Sequence, residues 1–570
     1  MKENASSEIK VTEAAQYLEA RRAATNFGVD AYKQWLTELE REIKYDLSSK
    51  AIALLTCLSA YSQDPQNLMF KGDSSIGKTW VAVNVTKYFP KNDVWMLGAL
   101  SPTALVHDKG QLEDASTGQP LDENYVRKYM NQWRVDNPDA TKEQEKTKYH
   151  ETLQAWQELP KKYVVDLSHK ILLFLEAPHI ETFNRLRPIL SHDTWEITYK
   201  FTDKDASKNM VTQTVTLRGW PATIFCTTDK EWMEDFSTRS FTGTPSTQKD
   251  KLLAAIQLIA TKKSRPWLCS DNGSETFRQF IQVLKERLLE GWKPIIPYFS
   301  EIAGMTSPVL GRDMRDFKHI GSLIEIMALL HYQSRPKIMF GDLKYVLATY
   351  QDWAYVLEIW RDVESTTRTG LSAEEMYLYE CLKTVEKDNL FPTIKDIVDE
   401  YNRHQAKKIS SKAAYKYLEN LLSVAYADKK RDDDRLKEEG GDARRNIYHS
   451  IQREGILLFR AGEYFQSYFK LEHLEKWFVD LKNYSPQNDL HIIYSSQDSP
   501  MRTAEDHAEA NHILTFEDRQ LSLESRAIVE SLFLGEYFSE PTTLESNLIQ
   551  IEPADKNSPT PNIQKGEESP

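Results

Sequence analysis

Residues 67 to 83, NLMFKGDSSIGKTWVAV, combine an apolar run, a loop with two glycines and a lysine-threonine pair. The segment GDSSIGKT fits the pattern G-x-x-x-x-G-K-[ST], in which backbone N–H groups, the lysine charge and a Mg²⁺-binding hydroxyl surround the phosphates of a nucleotide. A strand is predicted before the loop and a helix after it, which favours this interpretation over a chance glycine turn. The predicted phosphate-binding residues are Gly72, Asp73, Ser74, Ser75, Ile76, Gly77, Lys78 and Thr79.

A second candidate group is Glu176, which ends the apolar run ILLFLEA. Enzymes with such a loop also need an acidic residue at the end of a second buried strand, where it helps to hold the Mg²⁺ shell. We therefore predict catalytic and metal-binding roles for Glu176, and a metal-binding role for Thr79. Ala177 stands where many such ATPases have a water-activating glutamate, so Glu176 could do either task but hardly both well, and we expect hydrolysis to be slow or to use another base. The alternative is a core strand that ends in glutamate without a chemical role.

The run PATIFCTTD predicts a third buried strand with polar residues at its end. Thr227, Thr228 and Asp229 stand where they could orient an attacking water or sense a γ-phosphate. Arg239 follows shortly afterwards, and an arginine there could reach the nucleotide of a neighbouring subunit and stabilise charge on the transferring phosphoryl group. A surface salt bridge is the alternative interpretation of Arg239.

Two segments carry basic residues in patterns that suit a phosphate backbone. Period-two alternation on both sides of TDKDASKN predicts a β-hairpin over 195–217 with Lys204 and Lys208 at its tip, although a solvated tip is the alternative. Residues 371–455 predict three helices and a charged wing, the order of a winged helix-turn-helix, with Lys412 and Lys416 on the third helix. Winged helices also dock on proteins, so DNA contact is one of two interpretations.

The order of predicted strands and helices around these groups indicates an α/β fold. We predict a P-loop core with a largely parallel sheet and flanking helices, followed by a helical lid. A C-terminal winged helix and a disordered acidic tail complete the chain. Residues 110–160 interrupt the core as a helical insertion. The predicted divisions are an N-terminal helical region (1–60), the core (61–250), the lid (251–368), the winged helix (369–455), a C-terminal helix (456–485) and the tail (486–570).

The charge distribution, the cysteine spacing and the lengths of the apolar runs argue against a zinc protein, a membrane protein and a secreted protein. Of the formal net charge of −13, −10 lies in residues 491–570, which carry 15 acidic and 5 basic side chains, so the preceding 490 residues are nearly neutral at −3. The four cysteines form no CxxC or Cys/His pair that would indicate a zinc site. No apolar run approaches the roughly 18 residues of a membrane helix, and MKENASSEIK lacks the apolar centre of a signal peptide, so we expect a cytoplasmic protein without a membrane partner.

With these segments in order, the chain resembles AAA+ ATPases of the minichromosome-maintenance (MCM) helicase type, and more closely the MCM-like or primase-associated ATPases of archaea and mobile genetic elements. The resemblance covers about residues 60 to 365. It rests on GDSSIGKT, ALSPTALVHDKG, KILLFLEAPHIETFNRLRPILSHD, LRGWPATIFCTTD, STRSF and RDMRDFKHIGSLIEIMALLH. The short N-terminus leaves no room for the oligonucleotide-binding and zinc tier of replicative MCM proteins.

The resemblance implies ATP and Mg²⁺ as cofactors and a role for each predicted residue. Glu176 would be the Walker B acid, Thr227 or Thr228 sensor 1, and Arg239 a finger acting on the neighbouring subunit. The hairpin at 195–217 would be a pre-sensor-1 hairpin that points Lys204 or Lys208 into a central channel. The lid's sensor 2 arginine would be Arg315, with Arg312 and Lys318 as competitors.

The resulting prediction is a DNA-associated ATPase, a hexameric helicase or translocase that acts in replication, with replication proteins such as a primase as possible partners. Two other classes stay open. One is an ATP-dependent DNA-binding switch with little strand separation, and the other is a regulatory AAA+ protein that acts on another protein through its winged helix and acidic tail.

Overall fold

The computed structural model of the chain describes residues 30–98, 110–176, 178, 180–204, 210–228, 239–269, 274–306, 313–369, 371, 373–405, 408–423, 426–431, 446–451, 470–495, 509–517 and 520–534. Several predicted positions lie outside these residues. They are Ala177, Lys208, Asp229 and Arg312.

Eighteen strands are present in the described residues. In chain order they are β1 (Asn67–Phe70), β2 (Val94–Leu97), β3 (Gln111–Asp114), β4 (Lys161–Asp166), β5 (Ile171–Phe174), β6 (Glu196–Lys204), β7 (Met210–Arg218), β8 (Ala222–Cys226), β9 (Phe241–Gly243), β10 (Trp292–Ile295), β11 (Lys337–Phe340), β12 (Leu343–Leu347), β13 (Ala427–Arg431), β14 (Asn446–Ser450), β15 (Leu490–Ser495), β16 (Glu509–Ile513), β17 (Phe516–Glu517) and β18 (Gln520–Leu521).

The α-helices of the same residues are, in chain order, α1 (Ala31–Leu39), α2 (Leu47–Ser59), α3 (Lys78–Thr86), α4 (Tyr125–Asp136), α5 (Lys142–Glu158), α6 (Ile180–Leu190), α7 (Lys249–Ser264), α8 (Ser274–Leu289), α9 (Phe299–Gly304), α10 (Asp313–Leu330), α11 (Tyr350–Thr369), α12 (Ala373–Asp388), α13 (Ile394–His404), α14 (Ser411–Ser423), α15 (Leu471–Tyr484) and α16 (Leu523–Leu534).

A five-stranded parallel sheet forms the centre, in the order β2-β5-β8-β1-β9. β1, β5 and β8 are buried along their whole length, as expected for short continuous apolar runs covered on both faces. α2 is buried on nearly every side against one face, while α6 covers the other. The predicted α/β P-loop core is confirmed, because a parallel sheet with flanking helices carries the glycine loop directly after β1.

A second sheet, in the order β3-β4-β7-β6, extends from the core. β6 and β7 form an antiparallel hairpin whose register runs from Glu196 opposite Arg218 to Lys204 opposite Met210, which confirms the predicted hairpin. β3 and β4 were not predicted. Arg218 binds Glu113 of β3 and Asp166 of β4 and so ties the three strands together. The predicted helical insertion is present as α4 and α5.

The predicted lid is more mixed than its helical periodicity indicates. α8, α10 and α11 pack in the same core as α1 and α2. β10, β11 and β12 lie between these helices and join a second five-stranded sheet with β15 and β16. The description of this region as purely helical is therefore wrong, because short apolar strands complete a sheet with a distant segment.

The predicted start of the disordered tail, at residue 486, is also wrong. β15 pairs with β11, and its Leu490 and Ile492 are fully buried. α16 places Val529 and Phe533 in the main core, so this amphipathic segment docks on its own chain. The Ser- and Asn-rich residues around these elements led to the prediction of a disordered tail instead of strands and a helix. Residues 535–570 lie outside the described structure.

Residues 373–451 form a separate small unit with its own core. Its described elements follow the predicted order of helix, helix, helix and hairpin: α12, α13, α14, then β13 paired antiparallel with β14. Residues between the two hairpin strands fall outside the description. Within the described residues, no helix has the length and apolar character needed to cross a membrane.

Candidate functional site

The loop after β1 has the backbone of an anion cradle. Gly72 and Gly77 take positive φ angles of 130° and 99°, and Ser75 one of 67°. A Cβ atom on Gly72 would lie 2.7 Å from the end of the Ile76 side chain, which would have to move, and the φ of 130° itself favours glycine. α3 begins at Lys78, and no side chain caps its first N–H groups, which leaves the positive end of the helix facing the loop.

The Lys78 ammonium lies inside this loop. Its Nζ donates to the carbonyl oxygens of Gly72 at 2.8 Å and Asp73 at 2.5 Å. Burial lowers the pKa of Lys78, while the charges of Cys226, Asp73 and Glu374 act in the opposite direction. The side chains of Ser74, Ser75 and Thr79 are exposed at the mouth of the loop. A positive charge and exposed hydroxyls therefore converge where phosphates would bind.

The other predicted groups of this site lie at the same edge of the sheet, because parallel strands end together. β8 lies between β1 and β5, so the residues that follow it lie between the loop and Glu176. Thr227 is buried and its N–H donates to the Phe70 carbonyl, whereas the Thr228 side chain is exposed. Glu176 is exposed two residues beyond β5. Thr228 and Glu176 therefore lie at the edge that carries the loop, and the roles predicted for them stay predictions.

Two residues of this edge escaped sequence reasoning. Cys226, the last residue of β8, is hydrogen-bonded to the Thr79 side chain, and burial raises its pKa to about 11. Lys251, on α7, donates from Nζ to the Ile76 carbonyl at 3.1 Å and pairs with Asp46 at 2.5 Å. Lys251 and Ile76 are 175 residues apart in sequence, so no local pattern indicates the contact.

The small unit at 373–451 approaches the loop from the side of α7. Thr247 donates to the Gln405 side chain at 3.1 Å, and Gln248 and Gln405 form an antiparallel bridge just before α7 begins. Glu374, at the start of α12, is one of the acids that act on the Lys78 charge. Burial, and then Glu374 and Asp73, raise the pKa of Tyr417 on α14 to about 12. The third helix of this unit therefore lies within electrostatic range of the loop.

Arg239 and Arg315 lie elsewhere, at the amino edge of the sheet. Together with Lys318 they line a cavity of about 220 Å³ whose floor includes Gln66 and Asn67, at the start of β1. Four residues at about 3.3 Å each separate this edge from the glycine loop by roughly 13 Å. Neither arginine lies beside the P-loop of its own chain. For Arg315, the sequence did not predict whether the arginine would act on its own chain or on a neighbour.

Asp64 is the centre of the charged network behind this cavity. It accepts hydrogen bonds from His192 at 3.1 Å, Lys318 at 3.0 Å and Ser322 at 2.8 Å. Burial alone would raise its pKa, but these hydrogen bonds outweigh burial and hold it well below the usual range. Nearby, burial and the Asp64 charge raise the pKa of Glu325 to about 7.

The base of the β6–β7 hairpin touches the same cavity. Arg239 donates to both carboxylate oxygens of Asp193, at 3.1 and 3.2 Å, and Asp193 lies three residues before β6. His192 stacks on Trp220, which packs against Trp195, the residue just before β6. Lys204 ends β6 at the far end of the hairpin, and Lys208 lies outside the described residues.

Lys412 and Lys416 are exposed, one turn apart on α14. Lys408, before the helix, and three basic residues of β13 are exposed as well: Lys429, Lys430 and Arg431. The small unit thus presents a basic surface formed by its third helix and its hairpin, as the winged-helix interpretation predicts.

The loop residues fit a nucleotide with Mg²⁺. The glycine cradle, the uncapped helix start and Lys78 suit phosphates, and the Thr79 hydroxyl and Glu176 suit Mg²⁺. Among the described residues, no group of three or more His, Cys, Asp or Glu side chains could hold a metal ion by itself. The fold and site thus define an α/β protein with a phosphate-binding loop at the carboxyl edge of a parallel sheet.

Comparisons with known proteins add little to this description. No protein-family profile matches the chain, and no curated protein does either. A solved structure of the Aeropyrum pernix ORC1 protein in complex with DNA matches at 9% identity, over 78% of this chain and 93% of that chain, with a TM-score of 0.18. This TM-score is too low to support a conclusion about the chain.

Proposed function

We propose that this chain is an AAA+ ATPase that assembles into a ring, a hexamer by its resemblance to MCM-like helicases, and couples ATP hydrolysis to movement on DNA in replication. The observation that carries the proposal is the separation of the two edges of the sheet. A cradle for phosphates lies at one edge, and two arginines that could act on a phosphate lie at the other. A second copy can bring its arginine edge to the cradle of the first, in a head-to-tail contact that closes into a ring.

In this arrangement Lys78 and the loop N–H groups bind the β- and γ-phosphates. Mg²⁺, held by Thr79 and backed by Glu176, would neutralise charge on the phosphate oxygens. Glu176 and Thr228 orient the attacking water, and Glu176 serves as the base because the next residue is Ala177. Arg239 and Arg315 of the neighbouring copy stabilise the charge that develops on the transferring group.

The proposal also links chemistry to movement. Arg239 binds Asp193, which lies at the base of the β6–β7 hairpin. When Arg239 turns to the phosphate of a neighbouring copy, it breaks this contact and frees the base of the hairpin to move. Lys204 and Lys208 at its tip would then shift along a DNA backbone. The winged helix, through Lys412 and Lys416, would hold the duplex. A primase is a candidate partner on the resemblance alone.

ATP hydrolysis by the wild type and by Lys78→Ala, with and without single-stranded DNA, tests this function. We expect DNA-stimulated hydrolysis that the substitution abolishes. A Lys204→Ala/Lys208→Ala variant should then keep its basal hydrolysis and lose the stimulation. If the wild type does not hydrolyse ATP above the Lys78→Ala background in either condition, the motor proposal is wrong.

The contact between the small unit and the P-loop side of the core favours a second candidate, an ATP-dependent DNA-binding switch. Gln405 meets the residues that begin α7, and Glu374 acts on the Lys78 charge, so nucleotide binding would change the surroundings of α14. Fluorescence anisotropy of a labelled duplex, titrated with and without ATP, distinguishes the two. A switch changes its DNA affinity with ATP in the Lys204→Ala/Lys208→Ala variant, and it separates no strands.

A further inference from the structure

Lys251 occupies a position behind the glycine loop that the roles above do not use. Its side chain is buried, and its ammonium donates to the carbonyls of Ile76 at 3.1 Å and Ser246 at 2.8 Å. The third partner is the Asp46 carboxylate, at 2.5 Å. The Lys251 ammonium is thus held by two hydrogen bonds to carbonyl oxygens and by one ion pair.

The contact with Ile76 fixes the direction of one peptide group. In a planar trans peptide the carbonyl oxygen and the following N–H point in opposite directions. Because the Ile76 carbonyl points at the Lys251 ammonium, the N–H of Gly77 points away from it. Gly77 has a φ of 99°, and a Cβ atom there would lie 3.8 Å from the Lys251 ammonium, so the lysine lies directly against this turn.

Asp46 anchors the lysine to the core. Its second carboxylate oxygen accepts the Ser246 N–H at 2.7 Å, and it immediately precedes α2, which is almost entirely buried. A chain of contacts thus runs from a fixed helix through Asp46 and Lys251 to the loop. Since a buried ammonium must keep its partners, the loop peptide is held by the same network that satisfies the charge.

We propose that Lys251 is a positioning residue that aims the Gly77 N–H at the phosphates, and that Asp46 holds it in place. The inference rests on the proposed nucleotide site and adds a residue outside the P-loop pattern. Lys251 does not touch the phosphates; it acts through the backbone of the loop.

The test compares a double variant, Asp46→Asn/Lys251→Met, with the matched variant Lys262→Met in the full-length protein. The double change removes both buried charges together, while the amide that replaces the Asp46 carboxylate keeps an oxygen for the Ser246 N–H. Lys262 lies on the same helix and pairs with Glu42 at 2.5 Å, so its loss removes a similar link without touching the loop. The measurements are the Kd for MgATP, the shift in Tm that MgATP produces, and hydrogen exchange of the segment 72–79 with and without MgATP.

We expect the double variant to bind MgATP at least tenfold more weakly and to exchange the loop amides faster even without nucleotide, while Lys262→Met resembles the wild type in both. A purely structural role would lower the Tm without nucleotide and leave the MgATP-dependent shift intact, and that outcome overturns the proposal. Equal losses in Lys262→Met would overturn it too. If the wild type itself binds no MgATP, the proposed function fails, and unchanged loop exchange in the nucleotide-free double variant would separately reject the role of Lys251.

Discussion

The two edges of the central sheet use opposite means to handle a negative charge. The carboxyl edge does so with backbone: the N–H groups of a glycine loop and the start of α3, with Lys78 buried among them. The amino edge does so with long side chains, Arg239 and Arg315, beside an open cavity. One edge is a preorganised cradle formed by a single loop, and at the other edge Arg239 and Lys318 are paired with the carboxylates of Asp193 and Asp64.

For the proposed ATPase, this difference assigns phosphate binding and the stabilisation of developing charge to different edges. The backbone donors of the loop are fixed around the phosphates, and the arginines lie roughly 13 Å from the same chain's loop. Arg239 is paired with Asp193, so in the proposed mechanism it must leave this carboxylate before it can contact a phosphate. Under the proposed function, this separation would make ATP hydrolysis depend on assembly.

The largest effect is expected from a substitution that removes an arginine from the amino edge and leaves the phosphate cradle intact. Arg239→Ala should lower kcat by roughly a thousandfold, because an arginine finger contributes about that much, while the Kd for MgATP changes little. The decisive measurement mixes Arg239→Ala with Lys78→Ala. Each variant alone should be inactive, and the mixture should regain hydrolysis at interfaces that pair an intact cradle with an intact arginine. A mixture that stays inactive would contradict action between subunits.

The next effect breaks the cradle alone. Lys78→Ala should weaken MgATP binding by roughly 30- to 1000-fold, since it removes a charge-assisted contact of about 2 to 4 kcal/mol from a partly buried site. Equilibrium titration with a fluorescent ATP analogue measures this loss. Lys318→Ala is the control at the opposite edge, and a comparable loss of affinity there would show that the two edges are not separate.

Glu325 sharpens the comparison through pH. Its folded pKa of about 7 is above the ordinary 4.5, so the stability that its protonated form contributes is present below about pH 4.5 and lost as the pH rises through about 7. Glu325→Gln should therefore match the wild type at pH 4 and exceed it at pH 8, by about 2 kcal/mol after allowance for partial exposure. Urea unfolding at both pH values checks this. Equal stability at pH 8 would argue against a tightly packed network at the amino edge.

The smallest expected effect concerns the small unit. Lys412→Ala/Lys416→Ala should weaken binding to duplex DNA roughly tenfold and reduce the salt dependence of log K by about 2, if each lysine contacts one phosphate. Lys383→Ala/Lys387→Ala on α12 serves as the matched control. Performed with and without MgATP, the same titrations show whether the carboxyl edge extends its influence to α14. Unchanged DNA binding in the first variant would leave protein docking as the role of this surface.

Sequence reasoning located the cradle because its chemistry is contiguous. Gly72 to Thr79 form one loop, and the edges of parallel strands bring Thr228 and Glu176 to it by topology alone. Lys251 and Cys226 were missed because each meets the loop from a distant segment, with no local pattern to indicate it. The early start of the tail failed for a related reason. β15 forms a strand because it pairs with β11, which is distant in sequence. The polar residues around β15 made its few apolar residues look like part of a disordered segment.

The route of the chain gives the small unit two tethers. The chain leaves the main core at the end of α11 and rejoins it at α15, where Leu474 and Phe478 are buried, and later strands and α16 fill the same core. The unit is thus an insertion, and its swing is limited as for a lid with hinges on both sides. A protein cut after residue 455 would lose structural elements of its core and unfold. Excision of 371–469 with a short linker would keep all the described elements of the main core.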